Sequence, residues 1–283
     1  MPAEWQPLVT ALVPTYNGAA FISRTLDSLA RQTWPRLEIL VGDDRSTDDT
    51  LAIVREFAAR HPHTRVLERT ENLGWLRNSN DLMAHARGEL MFFAFHDDVV
   101  APTYVERLVE ALHDRPTEVL SFSDMEVHEV DGRKARHGSD RLEGRATALQ
   151  RGLVMIRRPD NWWVPNRGLF RASAYRRVGG IHPNEQGEYS ADWTWLLHLA
   201  LLGEFVRVPE LLSEKHCKRG TLSKQWPHDP VQLADLRQAG VAEIRAQPHR
   251  SAGEGHPDPS RQVVESSPRT TQDAAATARR RAR

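Results

Sequence analysis

EILVGDDRSTDDT, residues 38–50, decides the fold class. A β-branched apolar run, Leu37 to Val41, stops at Gly42-Asp43-Asp44. Ser46-Thr47-Asp48-Asp49 then has the spacing of a helix capping box, and a helix continues over Leu51 to Arg60. The same handover recurs on both sides. Leu8 to Val13 reads as a buried strand ending at Pro14, followed by a helix over Gly18 to Gln32 with Phe21, Ile22, Leu26 and Leu29 on one face. Thr64 to Leu67 and Leu90 to Phe95 are further strands, each with a helix after it or before it: Trp75 to Ala86, and Thr103 to His113 opening behind Pro102. Strand-helix alternation of this kind predicts an α/β fold with a mostly parallel, Rossmann-like sheet covered on both faces.

Beyond Val119 the rhythm loosens. Val119 to Val130 reads as extended with a turn at Asp131-Gly132, Gly168 to Arg171 as a short strand, and Ala172 to Val178 as a helix stopped by Gly179-Gly180. Asp192 to Leu202 is a strong helix and Phe205 to Val208 a last strand. From Gln247 to Arg283 there is no Leu, Ile, Met or aromatic residue. Such a segment cannot bury enough apolar surface to offset its ordering entropy and is read as a disordered tail. The expected organisation is one folded domain over residues 1–246, with a first half to about 115 and a mixed second half from about 116, then the tail at 247–283.

Composition narrows the function. The 283 residues carry 38 Lys+Arg against 38 Asp+Glu, which argues against a strongly cationic nucleic-acid binder. The tail alone holds seven Arg against four acidic residues, and its bland reading is a solvated segment. A single cysteine, Cys217, cannot form an intrachain disulfide and fits a reducing compartment. There is neither a membrane-length apolar run nor a secretory signal pattern, so the expected location is cytoplasmic.

In an open parallel sheet ligands sit at the carboxyl ends of the strands. Pro14-Thr15-Tyr16-Asn17-Gly18 follows the first strand, Asp43-Asp44 the second and His96-Asp97-Asp98 the fourth, so two carboxylate pairs converge on one edge. Neither G-x-G-x-x-G nor G-x-x-x-x-G-K-[ST] is present. A nucleotide bound here would rely on a divalent cation, Mn2+ or Mg2+, held by carboxylates and neutralising a leaving diphosphate.

ALVPTYNG (11–18), EILVGDDRSTDDT (38–50), ENLGWLRNSND (71–81) and FFAFHDDV (92–99), in this order and spacing, resemble the N-terminal half of the family 2 glycosyltransferases, inverting enzymes with the GT-A fold. The resemblance covers roughly Val9 to Gln225 and is strongest before Pro116. It implies transfer of a sugar from a nucleotide-diphosphate sugar to a glycan, lipid-linked or small-molecule acceptor.

The same resemblance implies site residues. Pro14 and Tyr16 line a nucleobase pocket, Asp44 accepts a hydrogen bond from a base imide, and Arg77 reaches base or diphosphate. Asp98 is the implied metal ligand and Asp97 a ligand to ribose or metal. Phe95 stands where the fuller D-x-D-D form has its first aspartate. Asp192, opening a helix with Ala191 in place of the common acidic neighbour, is the implied general base, with Glu188 in reserve. Trp162 and Trp163, whose flat faces suit a sugar ring, read as a surface-lining loop and candidates for acceptor or diphosphate contact, whereas a core role suits one of Trp193 and Trp195. His216, Lys218 and Arg219 are candidates for a loop that closes over the diphosphate. Peripheral contact with the inner face of a membrane stays open if the acceptor is lipid-linked, and nothing speaks to oligomeric state. Two rivals remain: a catalytically inactive nucleotide-sugar-binding protein, kept alive by Phe95 and Ala191, and a sugar-phosphate nucleotidyltransferase, disfavoured because PTYNG replaces its Gly-rich loop.

Overall fold

Three parallel ladders form the heart of the fold. Strand β1 (Val9–Thr15) pairs with β2 (Leu37–Asp43) on one side and β4 (Leu90–Phe93) on the other, and β2 pairs with β3 (Thr64–Glu68). Helices α1 (Ile22–Ala30), α2 (Thr50–Arg60) and α3 (Trp75–His85) supply the crossovers. This computed structural model describes residues 5–157, 161, 163–183, 188, 190–217, 234–235, 237–239, 241–242 and 245. The chain divides into units Met1–Arg250 and Ser251–Arg283, and all described residues lie in the first. The tail expected from Gln247 therefore lies outside the described residues, as do Trp162, Lys218 and Arg219.

The second half extends the same sheet. Its elements are β5 (Asp98–Val100), α4 (Tyr104–Leu112), β6 (Glu118–His128), β7 (Lys134–His137), α5 (Ala148–Ile156), a 3-10 turn (Val164–Arg167), β8 (Leu169–Arg171), α6 (Ala172–Val178), α7 (Ala191–Leu202) and β9 (Glu204–His216). The strand order is β3-β2-β1-β4-β8-β6-β9-β5, with β7 against β6. The long ladders are parallel, including β6 with β9, and the antiparallel pairings of β8, β5 and β7 are short. No helix among the described residues is long and apolar enough to cross a membrane.

Alternation along the strands makes two cores, one per face. Val9, Ala11 and Val13 of β1 face one side with Ile22, Leu26 and Leu29 of α1 and Val105 and Leu108 of α4. Leu12 faces the other with Leu76 and Leu82 of α3 and Trp193, Trp195 and Leu196 of α7. Gly88 is required where the chain passes β1: a Cβ there would lie 2.5 Å from the Leu90 carbonyl oxygen and 2.7 Å from the Thr10 nitrogen, both backbone atoms.

Several boundaries differ from expectation for local reasons. The helix expected from Gly18 starts at Ile22, because the Phe21 and Ile22 amides close a turn on the Gly18 carbonyl. The capping box at Ser46–Asp49 does not form. Ser46 Oγ instead accepts the Asn17 amide at 3.0 Å, and Asp48 Oδ1 accepts the Thr50 amide at 3.0 Å. A capping box does form at Thr147 and Gln150, opening the unforeseen α5. The strand expected to Phe95 ends at Phe93, because the Asp98 amide turns back onto the Phe95 carbonyl. The last strand runs on from Val208 to His216, because β6 and β5 continue to pair with it.

Trp193 ties the second half together. It is fully buried, and its indole Nε1 donates to the Met155 carbonyl at 3.0 Å, joining α7 to α5. Trp193→Ala should cost about 3–5 kcal/mol of unfolding free energy in urea titrations, and a loss under about 1 kcal/mol would contradict this packing.

Candidate functional site

The loops after β1 and β2 form one stitched rim. Asn17, in the left-handed region at φ +48°, accepts the Thr47 amide on Oδ1 at 2.8 Å, and Gly18 donates its amide to Thr50 Oγ1 at 2.8 Å. Tyr16 projects from this rim, 46% exposed, whereas Pro14 is buried within β1 opposite Gly42. Asp43 is buried and accepts the Ser46 amide at 3.1 Å, the local backbone role its position suggests.

Asp44 is only 2% exposed and has a second task. Its Oδ1 accepts the Leu73 amide at 2.6 Å and its Oδ2 the Gly74 amide at 2.9 Å, while Asn72 Nδ2 donates to its carbonyl. The carboxylate thus seats the turn that opens α3, in which Gly74 takes φ +81°. Each oxygen keeps a further lone pair, so a contact to a base would be added to these bonds. Arg77 is not drawn in. It lies exposed on α3, with Glu71 4.0 Å away.

The acidic pair sits where β4 turns into β5. Thr25 Oγ1 donates to the His96 and Asp98 carbonyls at 3.0 and 2.7 Å and fixes this turn. Asp98 is 2% exposed, and Arg167 Nε donates to its Oδ2 at 3.1 Å. The other oxygen, Oδ1, is buried and has no hydrogen-bond partner among the described residues. The Arg167 guanidinium lies over the Phe95 ring at 4.7 Å and near Trp163 at 5.8 Å. Lys215 Nζ is 5.9 Å from the Trp163 ring. Burial opposes the charge of Arg167, yet Asp98 and Asp97 outweigh it and raise its pKa further. The Arg167 charge, then burial, hold Lys215 below the usual lysine range.

On the same turn as Arg167, Asn166 Nδ2 donates to Asp192 Oδ2 at 3.0 Å. Asp192 stands in the first turn of α7, after Ser190 at φ +51°, and its Oδ1 accepts the Trp193 amide at 3.1 Å. The helix dipole favours its negative charge there. The structure thus brings Asp97, Asp98, Asp192, Trp163, Arg167 and Lys215 into one neighbourhood. His216 is turned to the opposite face of β9 from Lys215, beside His128 and Glu214. Glu188 is exposed, and its carbonyl accepts the Ala191 amide. Trp195 is core, packed edge-on to Phe93 and Phe170. Asn166 and Arg167 were not foreseen from the sequence, and Lys215 was read only as part of the basic segment that runs on to Arg219. The nearest signal was Pro165, the second residue of the turn that carries Asn166 and Arg167.

Comparison with known proteins gives the family and the fold. The sequence model described as Glycosyl transferase family 2 matches residues 10–171. An uncharacterized protein of Mycobacterium tuberculosis is 31% identical over 219 residues, 74% of this chain and 66% of the relative. Thus the chain spans about two thirds of that relative's length. Among solved structures, S. aureus TarS 1-349 in complex with UDP-GlcNAc superposes with TM-score 0.66 at 21% identity, over 87% of this chain and 68% of that one. The mannosyltransferase PcManGT from Pyrobaculum calidifontis, in complex with GDP-Man and Mn2+, superposes with TM-score 0.57 at 20% identity, over 90% and 67%. At such identities the two structures establish a shared fold.

Burial pushes the Asp98 carboxyl up from 3.8 to about 6. Between these values the folded chain holds a proton that the unfolded chain has released. The contribution of Asp98 to stability is therefore fully present below the unfolded value and is lost as the pH rises through about 6. In Asp98→Asn the melting temperature should lose this component of its pH slope. Parallel melting profiles for the two proteins across that window would contradict the assignment.

Proposed function

The chain belongs to glycosyl transferase family 2, and from that membership we propose that it moves a sugar from a nucleotide-diphosphate sugar to an acceptor hydroxyl, with inversion at the anomeric carbon. The observation that carries the reading is the 3-10 turn. Its consecutive residues Asn166 and Arg167 touch Asp192 and Asp98, so one short segment holds a base on the acceptor side and a charged donor side together.

Asp192 takes the proton of the acceptor hydroxyl as that oxygen bonds to the anomeric carbon. The bond from the carbon to the diphosphate oxygen breaks, and its electron pair leaves with the diphosphate. Asn166 fixes one carboxylate oxygen of Asp192 and the Trp193 amide the other, which aims the base. Arg167 and Lys215 offer positive charge to the leaving diphosphate within a largely buried pocket, where such charge acts strongly. Tyr16 and Asp44 receive the nucleobase at the rim. Structures that share the fold hold UDP-GlcNAc and GDP-Man, which supports a nucleotide-sugar donor of this kind. Trp163 offers a flat face to a sugar ring.

The residues present also suit a divalent cation. Asp98 Oδ1 is a buried oxygen with no hydrogen-bond partner among the described residues, and the charge of the preceding Asp97 acts on the same carboxyl. Asp98 with Asp97 would hold Mn2+ or Mg2+, which supplies further positive charge to the diphosphate when bound. Phe95 contributes no donor and instead supports Arg167.

Asp192→Asn should lower kcat, read as nucleoside diphosphate release, by about 10²–10⁴-fold while leaving donor affinity near that of the parent. Turnover within roughly threefold of the parent would remove Asp192 as the base. With any accepted donor, NMR of the product should show the anomeric configuration opposite to that of the donor.

A further inference from the structure

We propose a second cation site, selective for a divalent transition metal of the Zn2+ type, on the face of β9 turned away from the donor pocket, with His128, Glu214 and His216 as its ligands. The sequence holds Glu126-Val127-His128 and Glu214-Lys215-His216, two copies of the pattern Glu-x-His. Strands β6 and β9 run parallel in a register that sets Glu126 opposite Glu214 and His128 opposite His216. Residues two apart on a strand share a face, so two carboxylates and two imidazoles gather on one patch. Like charges directly opposite each other are unfavourable without a cation between them. Lys134, from β7, answers Glu126 at 3.3 Å. The ion partners of Glu214 among the described residues are the two imidazoles alone.

The distances fit a metal. Glu214 Oε2 lies 3.6 Å from His128 Nε2 and 3.4 Å from His216 Nε2, and the three ligand atoms all lie within 4.8 Å of one another. A tetrahedral ion with bonds of about 2.0–2.1 Å has ligand-to-ligand edges of about 3.3 Å, so only small side-chain adjustments are needed. Two imidazoles and one carboxylate are a donor set suited to Zn2+ and ill suited to Mg2+. Glu126 Oε1 is 2.6 Å from His128 Nε2, too close for both to be ligands. On metal binding His128 releases it, and Lys134 retains it.

The open side of the cluster meets a cleft lined by Arg24, Asp27, Arg31 and Val99, through which an ion can enter. The site also has a structural consequence. The His216 amide donates to the Asp97 carbonyl at 3.1 Å, and Lys215 between the two β9 ligands faces the donor pocket. A metal here would clamp β9 to β6 and fix the backbone behind Lys215 and Asp97.

The test is calorimetric titration of the metal-stripped full chain with ZnCl2 in excess Mg2+, which loads the hard oxygen site at Asp98. One equivalent of Zn2+ should bind and raise the melting temperature. His128→Gln and Glu214→Gln should each weaken Zn2+ binding by about tenfold or more, with metal-free melting temperatures near the parent's, while Asp98→Asn keeps it. Absence of a stoichiometric Zn2+ equivalent in the parent, or loss in Asp98→Asn with no change in His128→Gln and Glu214→Gln, would overturn the site. Should a glutamine variant melt early, cobalt substitution of the parent decides: a tetrahedral visible spectrum supports the site, and an octahedral one overturns it.

Discussion

A carboxylate placed where water cannot reach it costs several kcal/mol unless a cation answers it, and for Asp98 that cation is Arg167. Much of the second half follows from this pairing. Arg167 must arrive from 69 residues away with its guanidinium over the Phe95 ring, and the short turn Val164–Arg167 delivers it there. Tyr104 donates its hydroxyl to the Arg167 carbonyl and holds the turn against α4. With Arg167 fixed, the preceding Asn166 is delivered to Asp192. The ion pair therefore helps set the distance between Asp98 and Asp192, the proposed base, and Phe95, which departs from an all-carboxylate motif, lies beneath the Arg167 guanidinium.

The parts of this arrangement that were legible in the sequence are those encoded locally. Asp43-Asp44 and Asp97-Asp98 follow apolar runs whose strand character is plain, so their place at the sheet edge could be read directly. Asp192 stands in the first turn of a mostly apolar helix. Arg167 and Lys215 have no such signature, because their roles depend on residues far apart in the chain that only the tertiary fold brings together. Asp44 was read as a ligand contact, and its bonds to the Leu73 and Gly74 amides are invisible until the third crossover is built.

Strand β9 shows the same limit in another form. Lys215-His216 and the residues after them read as one basic loop, in which neighbouring side chains could act together. Pairing with β6 and β5 makes the segment a strand through His216, and the two-residue period then sends Lys215 and His216 to opposite faces. One face serves the pocket at Asp98, and the other gathers the histidines. Ser46–Asp49 erred the other way: its spacing suits a helix cap, but Asn17 claims Ser46 and binds two loops into a single rim.

The claim on which this account rests is that the edge holding Asp44, Asp98 and Arg167 binds a nucleoside diphosphate with help from a cation. Thermal shifts with UDP, dTDP, GDP, CDP and ADP, each with and without manganese, test it most directly, because a ligand of the folded state alone raises the melting temperature. The account predicts a shift with one uridine, thymidine or guanosine diphosphate that manganese enlarges. No shift with any of the five, with or without the metal, would contradict it.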